Sequence, residues 1–104
     1  MKAKKAIKML GGMKVIDDFA KKLSEKYGLS VEILPHINEE KPSDNWLNVI
    51  IETPNRLFDK NGYSDEFDCA EDEICEFLAE HELGMEYECG GDGGTGPIDS
   101  YRVY

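Results

Sequence analysis

Three cysteines, two histidines and twenty-two carboxylates are the groups in this chain that could ligate a metal, attack a substrate or move a proton. A tetrahedral metal site would draw on Cys69, Cys75, His81 and Cys89, which lie close together in sequence. Ligands on one helix face stand three or four residues apart so that their side chains converge. Cys69, Cys75 and His81 are instead spaced by six, about 240° of helical rotation per step. No Cys-x-x-Cys or His-x-x-x-His pair occurs, so no metal site is assigned, and cysteines packed in a core are expected instead. The segment from Asp59 to Asp65 opens like a calcium loop but loses its register. Tyr63 stands fifth, Ser64 replaces the obligatory glycine, and Ala70 stands where a bidentate Glu is needed. Nucleophilic catalysis would need His36 or His81 brought to a cysteine by the fold. His81 falls on an apolar stripe and His36 follows Pro35. The glycine-rich run Gly90 to Gly96 contains Asp92, has no following Lys and meets Pro97. It therefore lacks the amides-onto-helix arrangement of a phosphate cradle. A flexible hairpin connection is expected there, or a binding loop that orders on contact with a partner. No catalytic residue and no cofactor are assigned, and the chain is not expected to be an enzyme.

The totals bound the rest. A chain of 104 residues, 40% hydrophobic and 10% aromatic, suits one domain over residues 1–104 with a packed core. No apolar run approaches the length of a membrane span. The first ten residues are basic but lack an apolar stretch after them, unlike a secretory signal. Three cysteines without framework spacing predict reduced thiols and a cytoplasmic location. A net charge of −10 argues against nucleic acid as a direct ligand and against anionic membranes. The distribution is sharper than the total. Residues 1–28 hold eight lysines against Asp17, Asp18 and Glu25, a net of +5, whereas residues 59–92 hold thirteen acids and Lys60, a net of −12.

The elements that would carry these charges follow from periodicity. Lys2 to Leu10 predicts a short basic N-terminal helix within residues 1–12, interrupted by Gly11-Gly12. Val15, Ile16, Phe19, Ala20, Leu23 and Tyr27 mark a helix from Lys14 to Tyr27, stopped by Gly28. Residues 29–33 alternate as a strand ended by Pro35. Residues 46–52 are apolar enough for a central strand, antiparallel to the first across the loop Asn38–Asn45. Asn61-Gly62 signals a turn. Ser64 or Asp65 then caps a helix whose apolar stripe runs through Phe67, Ala70, Ile74, Phe77, Leu78 and His81, with Gly84 as its stop. Residues 85–89 alternate again, and a last strand spans Ile98 to Tyr104. Gly28-Leu29-Ser30-Val31-Glu32 is echoed by Gly84-Met85-Glu86-Tyr87-Glu88. The expected fold is a two-layer α+β domain in the order α-β-β-α-β-β, with about four antiparallel strands and the helices on one face.

One feature exceeds what folding requires. Between Asp65 and Glu82 lie nine acids: Asp65, Glu66, Asp68, Glu71, Asp72, Glu73, Glu76, Glu80 and Glu82. Asp68, Asp72, Glu76 and Glu80 are successive i,i+4 neighbours, and each such like-charge pair costs about 0.2–0.5 kcal/mol. A solvated, solubilising face is one explanation. The other is geometric. Eighteen helical residues span about 27 Å, so nine carboxylates would stand roughly 3 Å apart, near the ~3.4 Å per phosphate along one strand of B-DNA. In size, acidity and α/β organisation the chain resembles the small inhibitor proteins that phages direct against host nucleases, the anti-CRISPR and DNA-mimic class. The resemblance rests on this acidic run. It implies a non-enzymatic protein that blocks the nucleic-acid-binding surface of a basic partner, a nuclease or effector, through Asp65, Asp68, Glu71, Asp72, Glu76 and Glu80. Glu86, Glu88 and Asp92 would extend the patch if the next strand lies beside the helix. The basic first 28 residues restrict the mimicry to a local surface. An immunity- or antitoxin-type protein against a basic toxin fits the same patch, and a small-ligand-binding domain remains a third reading.

Overall fold

Apolar residues three and four apart bury one side of each helix, and strand alternation buries one side of the sheet. In a computed structural model, which describes residues 1–58 and 64–104, α1 spans Ala3–Met9 and α2 spans Met13–Tyr27. α1 turns Ala3 and Ala6 inward, with Leu10 buried just beyond it, and leaves Lys4, Lys5 and Lys8 in water. α2 buries Ile16, Ala20 and Leu23 and ends at Gly28, whose φ of 69° is the left-handed conformation that closes a helix. Ser24 fastens that end to the sheet. Its hydroxyl donates to the Ala20 carbonyl at 2.9 Å and accepts from the Val31 amide at 2.9 Å. No helix among the described residues is long and apolar enough to cross a membrane.

The sheet contains β1 (Ser30–Ile37), β2 (Asn45–Glu52), β3 (Met85–Asp92) and β4 (Pro97–Val103). All neighbours are antiparallel and the order is β1-β2-β4-β3. The chain is thus a mixed α+β fold with the helices on one face. Val31 and Ile33, then Leu47, Val49 and Ile51, then Tyr101 and Val103 point into one core with the helical stripes. The expected end of the first strand at Pro35 is corrected. β1 continues through Pro35, opposite Leu47, to Ile37. β1 lies at the sheet edge, where a residue without an amide proton costs no ladder bond.

The second half departs further from expectation. α3 spans Asp65–Ala79 rather than reaching Glu82, and Ser64 caps it by accepting from the Phe67 amide at 3.0 Å. The Asn61-Gly62 turn and the start of the calcium-like segment lie outside the described residues. α3 closes before Gly84. The Leu83 amide donates to the Leu78 carbonyl at 2.9 Å and the Glu82 amide to Ala79 at 3.1 Å. This is a Schellman closure with Glu82, at φ 61°, in the place usually taken by glycine. Gly84 instead opens the β3–β4 pairing. It exchanges both backbone hydrogen bonds with Tyr104, whose ring would stand 3.0 Å from a Cβ there. The two α-β-β halves therefore correspond through Gly28-Leu29 and Glu82-Leu83, a left-handed residue followed by a buried leucine, two positions off the echo read from sequence.

The expected hairpin connection joins β3 to β4 but is shorter than the glycine run, covering residues 93–96. Gly90, Gly91 and Asp92 belong to β3 and Pro97 opens β4. The connection packs on the end of β2, with the Thr53 amide donating to Pro97 at 3.0 Å and the Asn55 amide to Thr95 at 2.9 Å. Gly96 is buried, and a Cβ there would strike the Thr53 carbonyl. Two outcomes are expected. Glu82→Gly should raise stability by about 0.5–1 kcal/mol in denaturant titration, because it relieves a left-handed non-glycine residue. Gly96→Ala should lower it by about 1–3 kcal/mol, because the added carbon meets backbone rather than a yielding side chain.

Candidate protein-binding surface

α3 owes its placement to its apolar stripe, with Phe67, Ala70, Ile74 and Leu78 buried. The opposite side carries Asp65, Asp68, Asp72, Glu76 and Glu80, all exposed. From Asp65 to Glu80 the rise is about 22 Å, so these five carboxylates stand roughly 5–6 Å apart. The density of one charge per ~3 Å expected from sequence is thereby corrected. Two of the nine acids are turned to internal use, Glu66 is half-buried, and Glu80 and Glu82 lie beyond the regular helix.

The two internal acids hold α3 from either side. Glu71 accepts a hydrogen bond at 2.5 Å from the hydroxyl of Tyr101, a buried residue of β4. Tyr87 of β3 stands edge-on to the Tyr101 ring at 5.8 Å. On the other side Glu73 accepts from the Tyr27 hydroxyl and pairs with the Lys26 ammonium at 3.1 Å, both at the end of α2. The Tyr27 hydrogen bond, then the Lys26 ammonium, hold the Glu73 carboxyl below its ordinary value. Glu73 in turn raises both Lys26 and Tyr27 above theirs. Phe19 of α2 stacks on Phe77 of α3 at 4.1 Å, and His81 meets the Phe77 ring edge-on at 5.7 Å. Helix α3 is therefore joined to α2 by an apolar stack and an ion pair, and to the sheet by a tyrosine. Sequence reading did not single out Glu73 for this role. A glutamate one turn from the ridge, with Lys26-Tyr27 at the end of the other long helix, was the available signal.

The three acids expected to extend the patch divide. Glu86 pairs across β3–β4 with Arg102. Because Tyr101 and Val103 point into the core, Arg102 and Glu86 stand on the other face of the sheet, away from α3. Glu88 sits in the bulge where the register shifts between Tyr87 and Cys89, and Asp92 lies opposite Pro97 at the far end of β3. All three are exposed, but Glu86 does not join the α3 ridge.

The expected burial of the cysteines is corrected, while the expected absence of pairing among them agrees with the structure. Cys69, Cys75 and Cys89 are all free and exposed, because the first two fall outside the apolar stripe of α3 and the third lies on an edge strand. Partial burial, aided by Glu71 and Asp72, raises the Cys75 thiol and so disfavours its thiolate. No group of three His, Cys, Asp or Glu side chains suited to a metal occurs among the described residues. A cluster not foreseen from sequence lies on the open sheet face. The Arg102 guanidinium stands 4.2 Å over the Trp46 ring, and His36 lies against the same indole at 4.5 Å. Continuation of β1 past Pro35 brings His36 opposite Trp46. Comparison with family models, curated proteins and solved structures finds no match to this chain.

The Glu73 clamp has a signed pH dependence. A lowered Glu73 contributes stability that is complete above about pH 4.3 and fades as pH falls through its folded value. Raised Lys26 and Tyr27 contribute stability that is complete below about pH 10 and fades as pH rises through their folded values. Thermal melts of Glu73→Gln should lie below the parent at neutral pH, and the gap should close on acidification. A gap that stays constant into acid would remove the ionic part of the clamp.

Proposed function

We propose that this chain is a non-enzymatic binding protein that docks the acidic ridge of α3 on a basic surface of a protein partner. The surface we propose is one that otherwise receives nucleic acid, as in a nuclease or effector, which makes the chain an inhibitor of the anti-CRISPR or DNA-mimic kind. One observation supports the reading above others. Asp68, Asp72, Glu76 and Glu80 are exposed and i,i+4 to one another, yet no ion pair among the described residues reaches them. The chain carries eight lysines in its first 28 residues, and of these only Lys26 forms an ion pair with α3 among the described residues. No cation among the described residues pairs with the ridge, while Glu71 and Glu73 hold the helix in place from either side. Helix stability favours relieving such repulsion, and an attractive partner surface explains why it persists. A charge spacing of roughly 5–6 Å, from the helical rise, is looser than a phosphate strand. It suits dispersed Lys and Arg side chains, so a basic toxin, neutralised in the manner of an immunity or antitoxin protein, is the second reading.

Capture of partners from nuclease-treated lysate separates the two. A nucleic-acid-binding enzyme supports the inhibitor reading and a cognate toxin supports the immunity reading. Binding should weaken steeply from low to moderate salt, since the contact is exposed carboxylate. Changing Asp68, Asp72, Glu76 and Glu80 together to Gln should leave the melting temperature equal or higher while abolishing partner binding. Full binding by that variant would exclude the ridge as the contact surface.

A further inference from the structure

The sheet has two edges, and the chain treats them differently. The order β1-β2-β4-β3 leaves β1 and β3 each paired with one strand only among the described residues. An edge strand presents a row of backbone N–H and C=O groups to any extended chain that can lie beside it. β1 is poorly suited to such a neighbour. Pro35 has no amide to offer, and the Val31 amide already donates to the Ser24 hydroxyl of α2. β3 contains no proline, and every residue in it after Met85 is exposed. Gly84 exchanges both backbone hydrogen bonds with Tyr104, so antiparallel alternation directs the amide and carbonyl of Met85 away from β4. At the other end the Gly93 amide donates to Gly96, and Pro97, opposite Asp92, turns its carbonyl to the Thr53 amide. The same alternation therefore directs the backbone groups of Gly90 and Asp92 outward as well.

Charge along this edge selects what can pair with it. β3 carries Glu86, Glu88 and Asp92 and no base. Arg102 stands opposite Glu86, yet its guanidinium lies over the Trp46 ring, toward β2, and no ion pair joins it to Glu86 among the described residues. Strand alternation puts Glu86 on the open face of the sheet and Tyr87, which is 58% exposed, on the helical face with Tyr101. A strand laid beside β3 would thus meet a carboxylate on one face and an aromatic ring on the other. Lys and Arg suit both, as counter-ions and as cations over a ring. A second copy of β3 does not, because its glutamates would stand beside those of the first, and like charges across a ladder are destabilising. We propose that the outer side of β3 takes an extended, Lys- or Arg-rich segment of a partner protein by strand addition. Backbone hydrogen bonds supply the affinity and the acidic flank supplies the selection. The bulge between Tyr87 and Cys89 divides the edge, and Gly90 and Gly91 beyond it have no side chains to bar the segment's continuation. This inference goes beyond the reading of α3. The ridge can meet any basic surface, whereas the β3 edge requires an extended backbone.

The probe is a short synthetic peptide alternating Lys with Val, added to the full chain at up to millimolar concentration. It should slow hydrogen exchange at the outward amides of Met85 and Gly90 and leave the amides of β1 unchanged. N-methylation of the peptide backbone keeps every charge but removes the donors, and should weaken binding about tenfold or more. Glu86→Lys combined with Glu88→Lys should weaken it by a similar factor, with circular dichroism confirming that the variant folds. The quadruple Gln change in α3 should leave the protection of Met85 and Gly90 in place, so that the edge and the ridge fail separately. Absence of protection along β3 at the highest peptide concentration would overturn the proposal. So would equal binding by the N-methylated peptide, which would make the contact one of charge alone, or protection that appears on β1 instead.

Discussion

Leu47, Val49 and Ile51 on β2 are wholly excluded from water, and every other element takes its position from that buried row. β2 pairs with β1 on one side and β4 on the other, so the two α-β-β units meet where its inward side chains need cover. α1, α2 and α3 supply the cover through Leu10, Ile16, Leu23, Ile74 and Leu78. Burial at about 25 cal/mol per Å² of apolar surface is the largest favourable contribution available to a chain of this size. It is also non-directional. Polar contacts at the edges of the core, such as Ser24 to Val31 and Asn45 to Ala3, decide how the helices sit on the sheet.

Electrostatics is laid over that frame. A helix with seven acids in fifteen residues and no base gains little from its own charges, and its stability comes from the core side. Glu71 and Glu73 show how the same residue type serves two ends. Where a glutamate meets Tyr101 or the Lys26–Tyr27 pair it orients the helix. Where it faces away it leaves negative potential in solution. The lysines of α1 and α2 remain outward as well, and among the described residues only Lys14, with Asp18 of the same helix, and Lys26, with Glu73, are in ion pairs, so most of the basic and acidic charge stays on different elements. Long-range steering of an oppositely charged partner depends on such separation.

The two outward surfaces have different chemistry. The α3 ridge is acidic, exposed and free of ion pairs among the described residues. The open sheet face mixes Leu34, Trp46, Ile50 and Ile98 with charged and polar side chains, and the Arg102 guanidinium stands over the Trp46 indole. A contact made through one does not obstruct the other, because they lie on opposite sides of the helix-on-sheet sandwich.

Local pattern determined a good deal of this protein. The 3.6-residue stripe in residues 14–27 and the cap at Ser64 placed α2 and the start of α3, because helix periodicity and capping act within a few residues. The apolar run 46–52 marked the central strand for the same reason. The acidic ridge was legible at Asp68, Asp72, Glu76 and Glu80 because i,i+4 neighbours share a helix face whatever surrounds them. Long-range pairing decided the rest. Pro35 reads as a strand end until β1 is known to lie at an edge. Gly84 reads as a helix stop until Tyr104 is found across from it, with Glu82 taking the left-handed position. Glu71 and Glu73 look like their acidic neighbours until the fold sets Tyr101 and Tyr27 beside them. Glu86 belongs to the ridge by charge, but strand alternation and the β3–β4 register put it on the opposite face. In each case the deciding partner lies twenty or more residues away or on another element, and a single sequence carries no term that couples residues at such separation.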